Sequence, residues 1–154
     1  MKNRICIAVT VITFLSCNLA PDTEKKENES SVQGTWKLLT GTLITGKDTV
    51  VTDYTNGKSF IKIINQTHFS FIGHDLNKGN DSAAFYSSGG GKYELADSNY
   101  TEHLEYCNDR GWEGSDFHFT IAQREDTLII QGIEKIDSLD INRINIEKYI
   151  KLNN

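Results

Sequence analysis

From Gln33 onward the chain alternates short strand-like segments with turn-forming residues, and this alternation constrains the fold more than any other feature. Turn clusters rich in Gly, Asn, Asp and Ser separate the segments at close intervals, and no segment has helical periodicity. Short connections join neighbouring strands as antiparallel hairpins. The pattern predicts an all-β domain with nine strands, namely GTWKLLTGTLI, DTVVTDY, KSFIKII, THFSFIG, AFYSSGGGKYELA, NYTEHLEYC, DFHFTIAQ, DTLIIQGIE and RINIEKYIKL.

These strands could form a sandwich or close into a barrel. Meander-like spacing without a long crossover favours closure, so we predict an antiparallel up-and-down β-barrel of about 8–10 strands over residues 33–154. The run SGGG, Ser88 to Gly91, predicts a bent or bulged strand, because residues without a Cβ permit a sharp corner. A phosphate-binding loop would need a helix start and a Lys-Ser/Thr pair after the glycines, and neither follows.

The N-terminus has the pattern of an export signal. Lys2 and Arg4 precede an apolar run from Ile5 to Leu15. As a helix this run would reach roughly 16 Å, about half the hydrocarbon thickness of a bilayer, so it predicts no transmembrane span. The run ends in FLSC, which resembles a bacterial lipobox whose cysteine, Cys17, receives the lipid. An ordinary cleavable signal, with release from the cell, is the alternative.

This reading divides the chain into a lipoprotein signal peptide (1–16), a lipidated Cys17 with a flexible tether (17–32) and the barrel (33–154). The tether is polar and charged, so it cannot bury enough surface to offset its chain entropy. Acyl chains on Cys17 would hold the protein in a membrane. Asn18 does not resemble the aspartate signal for inner-membrane retention, so we expect an outer-membrane lipoprotein of the cell envelope.

Charge and cysteine content exclude several other classes. A net charge of −5 without a Lys/Arg patch argues against a nucleic-acid partner. Cys6 leaves with the signal and Cys17 carries lipid, so Cys107 is the remaining thiol and no intrachain disulfide is expected. We predict no cofactor, and we expect a monomer.

Two motifs carry a family resemblance that spans residues 33–152. Gly34-Thr35-Trp36 is similar to the Gly-x-Trp opening of lipocalins, and GGGKYEL…NYTEHLEY resembles a family of lipocalin-like domains in small bacterial lipoproteins of the Bacteroidetes type. The resemblance implies a barrel in which Trp36 packs beneath a cation of the last strand, here Lys151 instead of arginine. It implies no common activity.

The segment TEHLEYC, Thr101 to Cys107, concentrates ionisable groups on one strand. Alternate residues share a face, and we point the more apolar row inward: Tyr100, Glu102, Leu104 and Tyr106. Glu102 then projects into the barrel and needs a partner, because a buried charge is costly. Tyr hydroxyls or a lysine could satisfy it; tyrosine is preferred, because the proposed inward positions contain no Lys or Arg. Alternatively, Glu102 anchors a polar group of a ligand.

The opposite row, His103, Glu105 and Cys107, predicts a polar surface. Alternate side chains stand roughly 6.5–7 Å apart, too far for three of them to bind one zinc ion, so we predict no metal site. Glu102 and Glu105 face opposite ways, which excludes a glycosidase pair. No catalytic residue is predicted, and enzymatic activity stays open.

Two functions remain: a barrel that binds a small, apolar or amphipathic ligand, and a filled barrel that contacts envelope proteins or glycans through its surface. An enclosed pocket of roughly 300 Å³ or more would support the first. Trp112, at the tip of the loop RGWEG, either folds back on the rim or gates the pocket mouth. The predicted ligand-binding residues are Phe60, Tyr93, Glu102, Leu104, Tyr106, Trp112, Phe117 and Phe119.

Overall fold

Nine strands follow one another in the computed structural model, which describes residues 32–153. Two short 3-10 turns, Arg110–Trp112 and Asp137–Leu139, lie between strands. No helix in these residues is long and apolar enough to cross a membrane. The signal peptide, Cys17 and nearly all of the tether lie outside the described residues. The strands are β1 (Gly34–Thr45), β2 (Asp48–Asp53), β3 (Lys58–Ile64), β4 (His68–Asp75), β5 (Tyr86–Ala96), β6 (Asn99–Cys107), β7 (Ser115–Arg124), β8 (Thr127–Ile136) and β9 (Ile141–Lys151).

The sheet closes into a barrel because β9 returns to pair with β1. Their antiparallel register runs from Trp36 opposite Lys151 to Ile44 opposite Ile144. On the edge that does not face β9, β1 pairs with β3 along its first residues and with β2 along its last residues. β2 and β3 therefore share one position in the barrel wall. Eight strands therefore form a closed, antiparallel, lipocalin-like barrel. The predicted fold class is confirmed.

The glycine run of β5 lets β6 approach closely and form a bulge. A Cβ on Gly91 would collide with the carbonyl oxygen of His103. The register shifts from Gly90 opposite Tyr106 to Gly91 opposite Leu104, which leaves one extra residue, Glu105, on β6. The ladder is irregular at the glycines as predicted, but the extra residue lies on β6 and not on the glycine-containing β5. The bulge also inverts the alternation of β6 beyond Leu104.

One end of the barrel, where β1 begins, is filled by side chains; we call it the packed end. Trp36 is fully buried there, and its indole N–H donates to the carbonyl oxygen of Val32 at 2.8 Å. The ammonium of Lys151 lies 5.2 Å from the centre of the Trp36 ring, within cation–π range. The predicted position of Trp36 is confirmed. The other fully or almost fully buried side chains include Leu38, Ile64, Phe69, Tyr100, Leu128, Ile130 and Tyr149.

Candidate functional site

A cavity of about 400 Å³ occupies the other half of the barrel and is partly open to solvent. The ends of β6 and β8 and the starts of β3, β5, β7 and β9 meet here, because antiparallel neighbours bring opposite ends together. The loop after β6 contributes Trp112 to the lining, and Tyr54 comes from the connection between β2 and β3. The site is therefore built from most strands of the barrel.

Seven buried or half-buried aromatic side chains line the cavity, and together we call them the aromatic wall: Tyr54, Phe60, Phe71, Phe85, Trp112, Phe117 and Phe119. Tyr86 also lines the cavity but is 65% exposed. Phe60 stacks on Phe71 with ring centres 5.8 Å apart, and Tyr54 meets Phe60 edge-on at 5.6 Å. Trp112 lies 5.8 Å from Phe117, between ring centres. Rings of this kind offer a large apolar surface at a small cost in side-chain entropy.

The floor of the cavity is a buried ionic network centred on Lys62. Its ammonium donates to Glu102 Oε1 at 2.6 Å and lies 3.5 Å from Glu147 Oε2. The hydroxyl of Tyr149 donates to the same oxygen of Glu147 at 2.7 Å. The side chains of Lys62 and Glu102 are only 4% and 8% exposed, so this pair is largely removed from water.

Burial and charge act against each other in this network. Burial lowers the pKa of Lys62, but the attraction of Glu102 and Glu147 outweighs it and raises the pKa above its ordinary value. Lys62 is therefore a cation at neutral pH. Burial raises the pKa of Glu102, and Lys62 offsets only part of that effect. The pKa of Glu102 therefore stays above its ordinary value even with Lys62 beside it.

A second polar cluster lies along β8 and β9. Arg143 donates from Nε to one oxygen of Glu134 at 2.6 Å, and the amide of Asn145 donates to the other oxygen at 2.8 Å. The guanidinium of Arg143 also lies 5.3 Å from the centre of the Trp112 ring. Burial raises the pKa of Glu134, while Arg143 partly opposes the rise. The cavity therefore has an aromatic wall and a charged side.

Six of the eight predicted ligand-binding residues line this cavity. Trp112 is half-buried between Phe117 and Arg143, so it is part of the cavity wall and not only a cap on the rim. The inward register of Glu102 and Leu104 is as predicted. The six are Phe60, Glu102, Leu104, Trp112, Phe117 and Phe119.

Two predicted residues lie elsewhere. Tyr106 is 68% exposed on the outer surface, because the extra residue Glu105 inverts the alternation and turns Cys107 toward the cavity instead. Tyr93 packs on Tyr100 with ring centres 5.4 Å apart, and its hydroxyl donates to the carbonyl oxygen of Asn65. Tyr93 therefore belongs to the packed end and not to the cavity.

Lys62, the alternative to the preferred tyrosine, is the main partner of Glu102, although the Tyr100 hydroxyl lies close enough to lower the pKa of Glu102. The hydroxyl of Tyr100 itself reaches no hydrogen-bond geometry within residues 32–153. The sequence held the signal: once Phe60 faces inward, alternation places Lys62 on the same face. Counting back from the buried Tyr149 in steps of two likewise places Arg143, Asn145 and Glu147 on the inward face of β9. These are the other polar residues that were not predicted from the sequence.

Two outward residues of TEHLEYC, Thr101 and His103, form surface contacts with β7, whereas Cys107 lines the cavity. His103 Nδ1 lies 2.7 Å from Asp116 Oδ1, and this hydrogen bond raises the pKa of His103. Burial raises the pKa of Cys107, so its thiol is not an activated nucleophile. Within residues 32–153, no group of three or more His, Cys, Asp or Glu side chains could hold a metal ion.

The fold and the cavity define a class of protein: a closed, lipocalin-like β-barrel with a partly open interior site. No family model matches the chain, and no curated protein matches it either. The lipoprotein family that the sequence resembles therefore stays a proposal.

Proposed function

We propose that this protein is a lipid-anchored, lipocalin-like binding protein of the cell envelope that holds a small, partly apolar molecule inside its barrel. The cavity of about 400 Å³ is the observation that carries the proposal. Ligand pockets range from about 300 to 1,000 Å³ and combine apolar walls with a few polar groups. The aromatic wall and the Lys62–Glu102 floor have that composition.

The competing function is contact with envelope proteins or glycans through the outer surface of the barrel. A protein of that kind needs no cavity, so its barrel would be filled with side chains. Eight-stranded barrels either fill their interior with side chains or hold one small ligand. Here the packed end is filled, whereas the other half is open between Leu104, Phe60 and Phe119. The unfilled half supports ligand binding over the filled-barrel alternative.

The proposed location follows from the N-terminal sequence. The lipobox-like FLSC and the charged tether are typical of a lipoprotein held away from the bilayer surface. Asn18 supports the outer membrane over the inner membrane. Such an anchor would keep a binding protein close to molecules that enter or leave the envelope.

The binding function is tested by blocking the cavity. Leu104→Trp adds bulk to a cavity-lining position, and Tyr106→Trp adds bulk two residues away on the exposed outer face. We expect an amphipathic naphthylamine dye to bind the wild type and Tyr106→Trp with similar affinity. Leu104→Trp should bind at least about tenfold more weakly, a change of about 1.4 kcal/mol. Circular dichroism checks that both variants fold.

Equal dye binding by Leu104→Trp and the wild type would place the dye outside the cavity and contradict the proposal. No dye binding by the folded wild type would count against an interior site for amphipathic molecules and favour the filled-barrel function.

A further inference from the structure

The charges that line the cavity do not balance. Among the described residues, the lining contains the cations Lys62 and Arg143 and a larger number of carboxylates. Near the mouth, Asp109 accepts a hydrogen bond from the backbone amide of Gly111. The carboxylates are Glu102, Glu134, Glu147 and Asp109, so the site has a net negative charge when all are ionised.

Two of these carboxylates are already satisfied by the protein. Glu102 is paired with Lys62 at 2.6 Å. Both oxygens of Glu134 accept hydrogen bonds, one from Arg143 and one from Asn145. A ligand would have to break these buried bonds to use either group, which is costly.

Glu147 is different, because the residues that the structure describes engage only one of its oxygens. Oε2 accepts from Tyr149 and faces Lys62, whereas Oε1 has no hydrogen-bond partner within residues 32–153. The side chain is 18% exposed and lines the cavity, so a ligand can reach it. Glu147 is therefore the accessible acceptor beside the floor.

An aromatic ring stands next to this carboxylate. Glu147 lies opposite Gly41 in the β1–β9 register, and a Cβ on Gly41 would be 3.2 Å from Cε2 of Tyr54. The glycine thus leaves room for the Tyr54 ring. Burial raises the pKa of Tyr54, and the charge of Glu147 raises it further, as expected for close neighbours. A carboxylate beside an aromatic ring is a favourable environment for an organic cation. The ammonium of Lys58, 5.9 Å from the centre of the Tyr54 ring, already uses this ring as a cation partner.

We infer that the ligand is an amphipathic amine whose protonated nitrogen binds Glu147 beside Tyr54, while its apolar body lies against the aromatic wall. This inference rests on the proposed function, since it names the ligand class for the same cavity. Arg143 and Glu134 form one ion pair with no net charge. Lys62 faces the two carboxylates Glu102 and Glu147, so this group of three keeps one net negative charge when both carboxylates are ionised. An anionic ligand would meet the net negative charge of the lining.

The test compares three compounds with the same apolar body: phenylbutylamine, phenylbutanol and phenylbutyrate. Binding is measured by isothermal titration calorimetry near pH 7, where the amine is protonated. We expect the amine to bind at least about tenfold tighter than the alcohol, because a charge-assisted hydrogen bond is roughly twice as strong as a neutral one. The carboxylate should bind most weakly.

Two matched variants test whether Glu147 causes the preference for the amine. Glu147→Gln should bring the affinities for amine and alcohol within about twofold of each other, since the charge is gone and the apolar wall is unchanged. Glu105→Gln removes an exposed carboxylate from the outer surface of β6 and should leave the preference as in the wild type.

The outcomes separate the two proposals. Tighter binding of the carboxylate or the alcohol than of the amine would overturn the inference and leave interior binding in place. An amine preference that survives in folded Glu147→Gln would also overturn it. If none of the three compounds binds and the naphthylamine dye does not bind either, the proposed binding function itself is overturned.

Discussion

Removing Lys62 should destabilise the barrel more than removing the charge of its partner Glu102. Lys62→Met leaves Glu102 and Glu147 facing each other in a largely buried floor without their cation. Breaking a buried ion pair in this way costs about 3–5 kcal/mol. In Glu102→Gln the amide oxygen can still accept from Lys62, and Glu147 remains 3.5 Å away as a counterion. We expect this variant to cost less than about 3 kcal/mol, the upper value of a hydrogen bond to a charged group, because the bond from Lys62 is weakened and not lost.

The free energy of unfolding is measured by urea denaturation at pH 7 and followed by circular dichroism. The double variant Lys62→Met/Glu102→Gln should lose less than the sum of the single losses, by about 1–3 kcal/mol, because the two side chains are in contact. A cost below about 1 kcal/mol for Lys62→Met would refute the reasoning. So would a larger cost for Glu102→Gln than for Lys62→Met. These results would show that the floor is hydrated and its charges are independent.

Three further predictions follow from the packed end, the second polar cluster and the N-terminus. Trp36→Ala should lower the free energy of unfolding by about 3–5 kcal/mol, as for other large core truncations, and a loss below about 1 kcal/mol in urea would contradict its central position. Burial raises the pKa of Glu134, so its contribution to stability is present below the unfolded pKa of about 4.3 and is lost as pH rises through the folded pKa. As pH falls from about 7 toward the unfolded pKa of about 4.3, the wild type should therefore gain stability relative to Glu134→Gln, and an unchanged difference between the two proteins would contradict the raised pKa. Cys17→Ser should move the protein from the membrane fraction to the soluble fraction, and a variant that stays membrane-bound would contradict the lipid anchor.

The strand pattern could be predicted from the sequence because alternation and turn residues are local signals. Segments such as KSFIKII and NYTEHLEYC coincide with β3 and β6 to the residue. Barrel closure followed from the meander-like spacing. The position of Trp36 followed from the resemblance to lipocalins and not from periodicity.

The polar side of the cavity could not be recognised as easily, because a buried Lys or Glu has the same local pattern as an exposed one. Lys62 lies between Ile61 and Ile63, and this local pattern is the same for a buried lysine and for an exposed one. Its burial depends on Glu102, forty positions away. The misplaced Tyr106 has another cause: the glycine run indicated a bulge, but the extra residue lies on the partner strand β6.

Native mass spectrometry of the protein purified from its own membranes tests whether the barrel holds a small molecule. We expect the wild-type protein to carry a dissociable small-molecule adduct, which is absent from Leu104→Trp and retained by Tyr106→Trp. A wild-type protein without any adduct that also fails to bind the amphipathic probes, or an adduct that persists when Leu104→Trp fills the cavity, would contradict the proposed binding function.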